Sequence, residues 1–213
     1  QIIETNYDGM KGWTDYLLYR SSNGILEYSY YGDWCPPRDF LMDPNGSGVS
    51  RDTPGELIST GYLYMYTSLI SKMAAVIGKE ADAAKYQEIA AGVKAAFNAK
   101  YWNEEVGGYA SNNQACNSFA LYLGMPSDEM KPRVVANLVE DVKAQDYHLT
   151  TGNLCTKYLL EVLSDNGHAD VAYKIATQTT YPSWGFMLSK GATTLWERWE
   201  YLTGDAMNSH NHP

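Results

Sequence analysis

The strongest constraint on the fold is an alternation of two kinds of helical segment in the middle of the chain. Residues 57–71 carry no charged side chain, whereas residues 81–100 carry several charged side chains beside an apolar stripe. The same two patterns recur in residues 113–123 and 127–145. An uncharged helix is typical of a buried position, and an amphipathic helix exposes one face to water. The alternation therefore predicts an all-α protein built of helical hairpins, with the uncharged helices inside and the charged helices outside.

Such hairpins can close into a ring or stack into a solenoid, and the alternation is compatible with both arrangements. Helix start and stop signals divide the chain into about eight helices, one of them following the turn at residues 191–194. We predict the others at residues 2–18, 53–78, 81–100, 113–123, 127–145, 151–163 and 168–179. No strand-like alternation of comparable strength is present, although residues 109–110 and 147–148 could form short extended loops. The unusual aromatic loops all lie near inner-type helices, which predicts that they gather on one rim.

Composition narrows the classes of function. A net charge of -9 leaves no basic patch to neutralise nucleic acid phosphates, and the longest apolar runs, such as residues 74–77, are too short to span a bilayer. The odd number and wide spacing of Cys35, Cys116 and Cys155 predict buried free thiols. Without an H-E-x-x-H, a G-x-S-x-G or a phosphate-binding glycine loop, we expect no metal and no cofactor. No signal peptide is visible, but the chain begins with Gln1, so the compartment stays open.

The 6 Trp and 18 Tyr suit surfaces that are half apolar and half wet, as in carbohydrate clefts, although packed helical cores also use them. Near the C-terminal end, Trp196 and Trp199 flank Glu197 and would share one face of a helix. A carboxylate between indoles is expected to have a raised pKa, and beside rings that stack on a sugar it suits glycoside cleavage. The alternative is a core helix in which Glu197 or Glu200 pairs with Arg198.

Two other loops combine aromatic and polar side chains. Asp33 and Trp34 place a carboxylate beside an indole, and the alternative is that Asp33 caps a turn before Pro36. Residues 181–186, which include Trp184, form either a rigid aromatic platform or a hydrophobic plug. Each loop is therefore a candidate wall of a sugar-binding pocket.

Two further clusters carry histidines. Residues 147–152 place one His and several hydroxyl groups at a helix start, where N-capping by Thr151 is the favoured interpretation. Residues 207–213 offer two His, including His212, and two Asn that could bind sugar hydroxyls. The two His are separated by one residue and no Glu or Cys joins them, so this cluster does not indicate a metal site.

Taken together, these motifs resemble the C-terminal two-thirds of the catalytic barrel of bacterial α-L-rhamnosidases, family 78 of the glycoside hydrolases. The motifs are Tyr-Gly-Asp-Trp-Cys-Pro-Pro at 31–37, His-Leu-Thr-Thr-Gly at 148–152, Tyr-Pro-Ser-Trp-Gly at 181–185, Gly-Ala-Thr-Thr-Leu-Trp-Glu-Arg-Trp at 191–199 and Met-Asn-Ser-His-Asn-His at 207–212. Their order and spacing match over nearly the whole chain. The resemblance implies an (α/α)6 six-hairpin toroid, a carbohydrate substrate, and hydrolysis of terminal α-L-rhamnosides with inversion.

The resemblance also implies residue roles. An inverting glycosidase uses two carboxyl groups roughly 6.5–9.5 Å apart, one as general acid and one as general base. Glu197 matches the general base of the family, and Asp33 lines the same sugar subsite as the second candidate catalytic carboxylate. The substrate-binding candidates that accompany them are Trp34, Trp184, Trp196, Trp199, Arg198 and His212.

One departure from the family pattern shapes the expected activity. In the family, the general acid lies in a Cys-Pro-x-Arg-x-Glu-like segment upstream of the first helix, and no such segment precedes Ile2. We therefore expect residues 1–213 to form a partial catalytic domain, truncated at both ends, that is poorly active alone. Full activity would turn the search for the acid to Asp33, Asp39 and Glu200. The alternatives are another six-hairpin glycosidase of the unsaturated uronyl hydrolase type, or a non-catalytic carbohydrate-binding helical module.

Overall fold

The computed structural model describes residues 1–29, 31–37, 48–201 and 209–212. Over these residues the chain is mainly helical, with one small two-stranded sheet. The elements in chain order are α1 (Ile2–Arg20), α2 (Gly55–Val76), α3 (Glu80–Tyr101), β1 (Trp102–Asn103), β2 (Gly108–Tyr109), α4 (Gln114–Tyr122), α5 (Lys131–Ala144), α6 (Asn153–Asp165), α7 (Ala169–Ala176) and α8 (Trp184–Ser189). Seven of these helices confirm predicted ones, with ends that differ by a few residues.

The chain divides into two compact units. Unit 1 comprises residues 1–30 and 55–102 and holds α1 to α3, whereas unit 2 comprises residues 31–54 and 103–213 and holds α4 to α8. All of the loop motifs singled out in the sequence belong to unit 2. Asp39, Met207 and Asn208 lie outside the described residues.

Unit 1 is a three-helix assembly in which α2 packs against both α1 and α3. Its core includes Tyr7, Ile70 and Tyr86, and the Tyr7 hydroxyl donates to an Asp82 carboxylate oxygen at 2.9 Å. The prediction that α2 is buried nearly all round is wrong, because Val76 is 73% exposed. Within the described residues of this unit, α2 packs against α1, α3 and Leu26, and the end of the helix at Val76 stays exposed.

Unit 2 is organised around the uncharged helix α4. Residues 114–121 are all buried, and α4 packs against α5 and α6, as predicted for an inner helix. The amphipathic α5 buries Val134, Leu138 and Val142 and exposes its charged face. Asn113 begins α4 by accepting the backbone N–H of Cys116 at 2.9 Å, which satisfies one of the free donors at the helix start.

The segment that carries Glu197 is not a helix, which corrects the sequence prediction. Helix α8 starts at the N-cap residue Ser183 and ends before Gly191, whose φ of 85° terminates it. Beyond that turn the backbone bonds to a distant segment, because the N–H of Glu197 donates to the Ser209 carbonyl oxygen at 2.8 Å. The His212 N–H likewise donates to the Leu195 carbonyl oxygen at 2.9 Å.

Two smaller predictions about loops are also wrong. Thr151 does not cap α6, whose N-cap residue is Gly152, and the Thr151 hydroxyl instead bonds the Thr156 hydroxyl at 2.6 Å. Tyr147 is not extended, since its φ of 58° lies in the left-handed region. Tyr109 does lie in a short strand, as expected.

In the described part of the chain, no helix combines the length and apolar character needed to cross a membrane. The same residues hold no group of three or more His, Cys, Asp or Glu side chains that could bind a metal ion. Cys35, Cys116 and Cys155 are free and buried, which confirms the prediction made for them.

Candidate active site

The site is built on the N-terminus of α6. The first N–H groups of a helix have no partner within it, and here the Asp33 to Trp34 segment supplies the acceptors. Asp33 Oδ2 accepts the Gly152 N–H at 2.7 Å and Oδ1 accepts the Cys155 N–H at 2.9 Å. The Trp34 carbonyl oxygen accepts the Asn153 N–H at 2.7 Å. Two consecutive residues are thus bound to the first turn of α6.

Asp33 is fully buried, with 0% of its surface exposed. Burial raises its pKa to about 6, while the N–H groups of Gly152 and Cys155 act in the opposite direction by favouring the ionised form. Both carboxylate oxygens bond backbone donors of α6. Such a position suits a group that binds a helix rather than one that contacts a substrate.

Trp34 joins this segment to Glu197. Its indole Nε1 donates to Glu197 Oε1 at 3.0 Å, and the backbone N–H of Ser209 donates to Glu197 Oε2 at 3.0 Å. Trp34 is only partly buried, and its indole packs edge-to-face with the Tyr31 ring, with ring centroids 5.0 Å apart. Glu197 is thereby held through both oxygens by donors from two distant parts of the sequence.

The environment of Glu197 lowers its pKa, and the predicted raised pKa is wrong. Burial acts to raise the pKa, but the hydrogen bonds from Trp34 and Ser209 and the charges of His212 and Arg198 outweigh it. A carboxyl group that stays ionised at neutral pH is suited to act as a base.

Trp196 and Trp199 pack against different neighbours, and both are mostly buried, at 7% and 5% exposed. The Trp196 ring stacks on the His210 ring with centroids 4.7 Å apart. Trp199 packs edge-to-face against Trp184 at 5.5 Å and donates its indole N–H to the Thr151 carbonyl oxygen at 3.2 Å. Trp184, like Trp34, keeps part of its ring exposed, so these two partly exposed rings are the better placed to contact a ligand.

The remaining polar groups tie the loops together. Glu200 is buried and accepts the Tyr181 hydroxyl at 3.1 Å, and His148 Nε2 lies 2.8 Å from the Thr180 hydroxyl. Arg198 is also buried, whereas the His212 side chain is exposed. The described parts of the predicted loop clusters do gather in unit 2, as the sequence indicated.

Sequence reasoning missed three contributions to the site. Ser209 acts through its backbone, and no side-chain motif signals a backbone donor. The bond between Tyr181 and Glu200 was missed because the two residues lie 19 positions apart and no local pattern pairs them. The Asp33 contact with α6 was missed because its partners lie 119 and 122 residues away.

Residues 1–213 match the family model described as the bacterial alpha-L-rhamnosidase 6 hairpin glycosidase domain. An alpha-L-rhamnosidase of Streptomyces avermitilis is 34% identical over 218 residues, covering 100% of this chain and 20% of that protein.

Two solved structures are similar over 100% of this chain. The alpha-L-rhamnosidase from Dictyoglumus thermophilum has 42% identity and a TM-score of 0.91 over 24% of its own chain. The Streptomyces avermitilis alpha-L-rhamnosidase complexed with L-rhamnose has 32% identity and a TM-score of 0.86 over 20% of its own chain. The chain spans about a fifth to a quarter of the length of these relatives. It belongs to the family of bacterial α-L-rhamnosidase six-hairpin glycosidase domains, which confirms both the predicted resemblance and the all-α fold class.

Proposed function

We propose that this chain supplies part of the active site of a glycoside hydrolase that cleaves terminal α-L-rhamnosyl residues with inversion, with Glu197 as the general base. The observation that carries the proposal is the paired donation of Trp34 and Ser209 to the two oxygens of Glu197. The family match favours this reading over an unsaturated uronyl hydrolase. A relative whose structure contains L-rhamnose supports that sugar as the ligand.

The geometry around Glu197 suits activation of water. Each carboxylate oxygen can accept about two hydrogen bonds, and Trp34 and Ser209 each use one of them. The remaining acceptor positions can take a proton from a water that attacks the anomeric carbon opposite the leaving group. The lowered pKa keeps Glu197 able to accept that proton at neutral pH.

The same proposal places the general acid outside the described residues of these loops. Asp33 and Glu200, the other carboxyl groups in the described part of these loops, are both buried and hydrogen-bonded to protein donors. Neither presents a protonated oxygen to a leaving group.

The aromatic side chains supply sugar binding. L-Rhamnose is a 6-deoxy sugar, so its ring presents C–H groups and a methyl group that pack well on indoles. Trp34 and Trp184 offer partly exposed rings, and the buried Trp199 ring packs against Trp184. His212 and Arg198 add positive charge near Glu197 and polar groups for sugar hydroxyls.

The proposal is tested by Glu197→Gln in the full-length protein, assayed on an aryl α-L-rhamnoside. Loss of a general base is expected to lower kcat by about a hundredfold or more, while L-rhamnose binding measured by calorimetry stays close to that of the parent protein. Glu161→Gln, a change at an exposed position of α6, is the matched control and should leave kcat unchanged.

Two results would contradict the proposal. A Glu197→Gln protein with full turnover would show that another group activates the water. A parent protein that binds L-rhamnose but never cleaves the rhamnoside would favour the carbohydrate-binding module instead.

A further inference from the structure

We infer that Asp33 is a positioning residue that orients the base Glu197 through Trp34, by fixing the Trp34 backbone on the first turn of α6. The inference rests on the proposed role of Glu197. It assigns Asp33 a part in the reaction without contact with the substrate.

The first step of the argument is the attachment itself. Three N–H groups in the first turn of α6 bond to Asp33 and Trp34 at 2.7 to 2.9 Å. Hydrogen bonds between a carboxylate and the N–H groups at a helix start are charge-assisted and stronger than neutral ones. Because one of the three bonds falls on the Trp34 carbonyl oxygen, the attachment fixes the residue that carries the indole donor.

The second step is that the helix is itself well anchored. Cys155, Tyr158 and Leu159 of α6 are buried, and the helix packs against α4 and α7. Asp33 therefore ties Trp34 to a packed element of unit 2 rather than to another loop. Geometry set by a packed helix is held more closely than geometry set by loops alone.

The third step is the close packing on both sides of Trp34. A Cβ added to Gly152 would lie 2.3 Å from the Trp34 carbonyl oxygen, so the backbone already sits against the helix. A Cβ added to Gly48 would lie 2.5 Å from the indole ring, so glycine permits close approach on the ring side as well. The Cys35 N–H donates to the Gly48 carbonyl oxygen at 2.7 Å and closes that side.

The consequence is a continuous set of contacts that connects α6 to Glu197. Asp33 fixes the backbone, the ring is confined by Gly48, and the indole N–H then meets Glu197 Oε1 at 3.0 Å. If Asp33 no longer bound α6, the indole would lose its fixed direction and Glu197 would keep only the Ser209 donor described here. Misplacement of a reacting group by a small distance is enough to lower kcat strongly.

The test is a double-mutant cycle in the full-length protein with Asp33→Asn, Trp34→Phe and the double variant. Asparagine keeps the shape of Asp33 but has one acceptor oxygen, so it can serve only one of the two N–H groups. We expect Asp33→Asn to lower kcat on an aryl α-L-rhamnoside by about tenfold or more, with KM nearly unchanged. The double variant is expected to be no slower than the slower single variant, because both changes break the same set of contacts between α6 and Glu197.

Asp141→Asn is the matched control. Asp141 is also a partly buried aspartate of unit 2, and it accepts the backbone N–H of Gln114 at the start of α4. Its substitution should lower the unfolding temperature without changing kcat. Should Asp33→Asn fail to fold, Asp33→Ser keeps one N-capping oxygen and enters the same cycle.

The outcomes separate the inference from the proposed function. The positioning role would be overturned if the effects of Asp33→Asn and Trp34→Phe on kcat multiplied in the double variant, or if Asp33→Asn changed the stability but not kcat. The proposed function would still stand in either case, provided that Glu197→Gln stays inactive. Full turnover by Glu197→Gln would instead show that the proposed function is wrong.

Discussion

Trp34 serves two purposes with one side chain, because its N–H end binds Glu197 while part of its ring remains exposed. The N–H is the first of the groups that lower the pKa of Glu197 against the effect of burial. A base works only when deprotonated, so the lowered pKa extends activity toward acidic pH. Trp34 thus helps to orient the Glu197 carboxylate and to lower its pKa, and under the proposed role of Glu197 it would also set the pH at which the base functions.

We predict that Trp34→Phe raises the pKa of Glu197 by removing this donor. The acidic limb of the pH profile of kcat/KM should move to higher pH, and kcat/KM at neutral pH should fall by about tenfold to a hundredfold, as for a lost charge-assisted hydrogen bond. The measurement is the pH profile on an aryl α-L-rhamnoside. Trp199→Phe is the control, since its N–H donates to the Thr151 carbonyl oxygen and its loss should leave the acidic limb in place.

At this scale the motifs singled out Glu197, Trp34 and Asp33 as candidates, and their functional roles stay predictions. The predicted sign of the Glu197 pKa shift was wrong. The shift depends on donors at residues 34 and 209, and no local pattern around residue 197 contains them.

Among the elements, α6 is the one on which the site depends, because its first turn receives the Asp33 to Trp34 segment. Gly152 makes this possible by having no side chain, and its φ of -84° would suit any residue. Its role is therefore one of space and not of backbone freedom.

We predict that Gly152→Ala displaces the segment from α6, since the new Cβ would lie 2.3 Å and 2.6 Å from two backbone oxygens. Rhamnosidase activity should fall by about tenfold or more and the unfolding temperature should drop, as expected for strain that backbone atoms cannot relieve. Gly92→Ala in α3 is the control, because nothing lies within 4 Å of its added Cβ. That helical change should be neutral or stabilising by roughly 0.5–1 kcal/mol. Equal activity and melting temperature in both variants would argue against a close contact at Gly152.

Helices were predictable where the pattern of charged and apolar residues is decided locally, as in α3, α4 and α5. The segment around Glu197 was not, because Trp196 and Trp199 have helical spacing while the backbone bonds to Ser209 and His212 instead. The N-cap of α6 was mispredicted for the same reason, since its acceptors come from a loop more than a hundred residues earlier.

At the level of the whole molecule, the cysteines report on the integrity of unit 2. Cys35, Cys116 and Cys155 are all buried there, and burial raises the pKa of Cys116 to about 11. The reactive form of a cysteine is the thiolate, so these groups are inert while the unit is folded.

We predict that iodoacetamide labels none of the three thiols under native conditions and all of them in denaturant. Mass spectrometry of proteolytic fragments identifies the labelled positions. Rapid native labelling of Cys35 would show that the segment at residues 31–37 opens readily. Asp33→Asn provides a useful comparison, because loss of the contact with α6 should speed labelling of Cys155 first.

The fold class was predictable because the pattern of charged and apolar residues within each helix indicates whether that helix is buried or exposed. Whether the hairpins form a ring or a solenoid was not, since both arrangements bury the same faces. The resemblance and the family match decided that question, and side-chain spacing did not.

Trp34 and Glu197 are separated by 163 residues of chain, and the bond between them closes a very large loop. Contacts of such high sequence separation carry a large entropic cost of closure and tend to form after local helices. A partly folded molecule can therefore be rich in helix while Glu197 has not yet met the indole that orients it. Under the proposed role of Glu197, the ability to activate water would be acquired only at the end of folding.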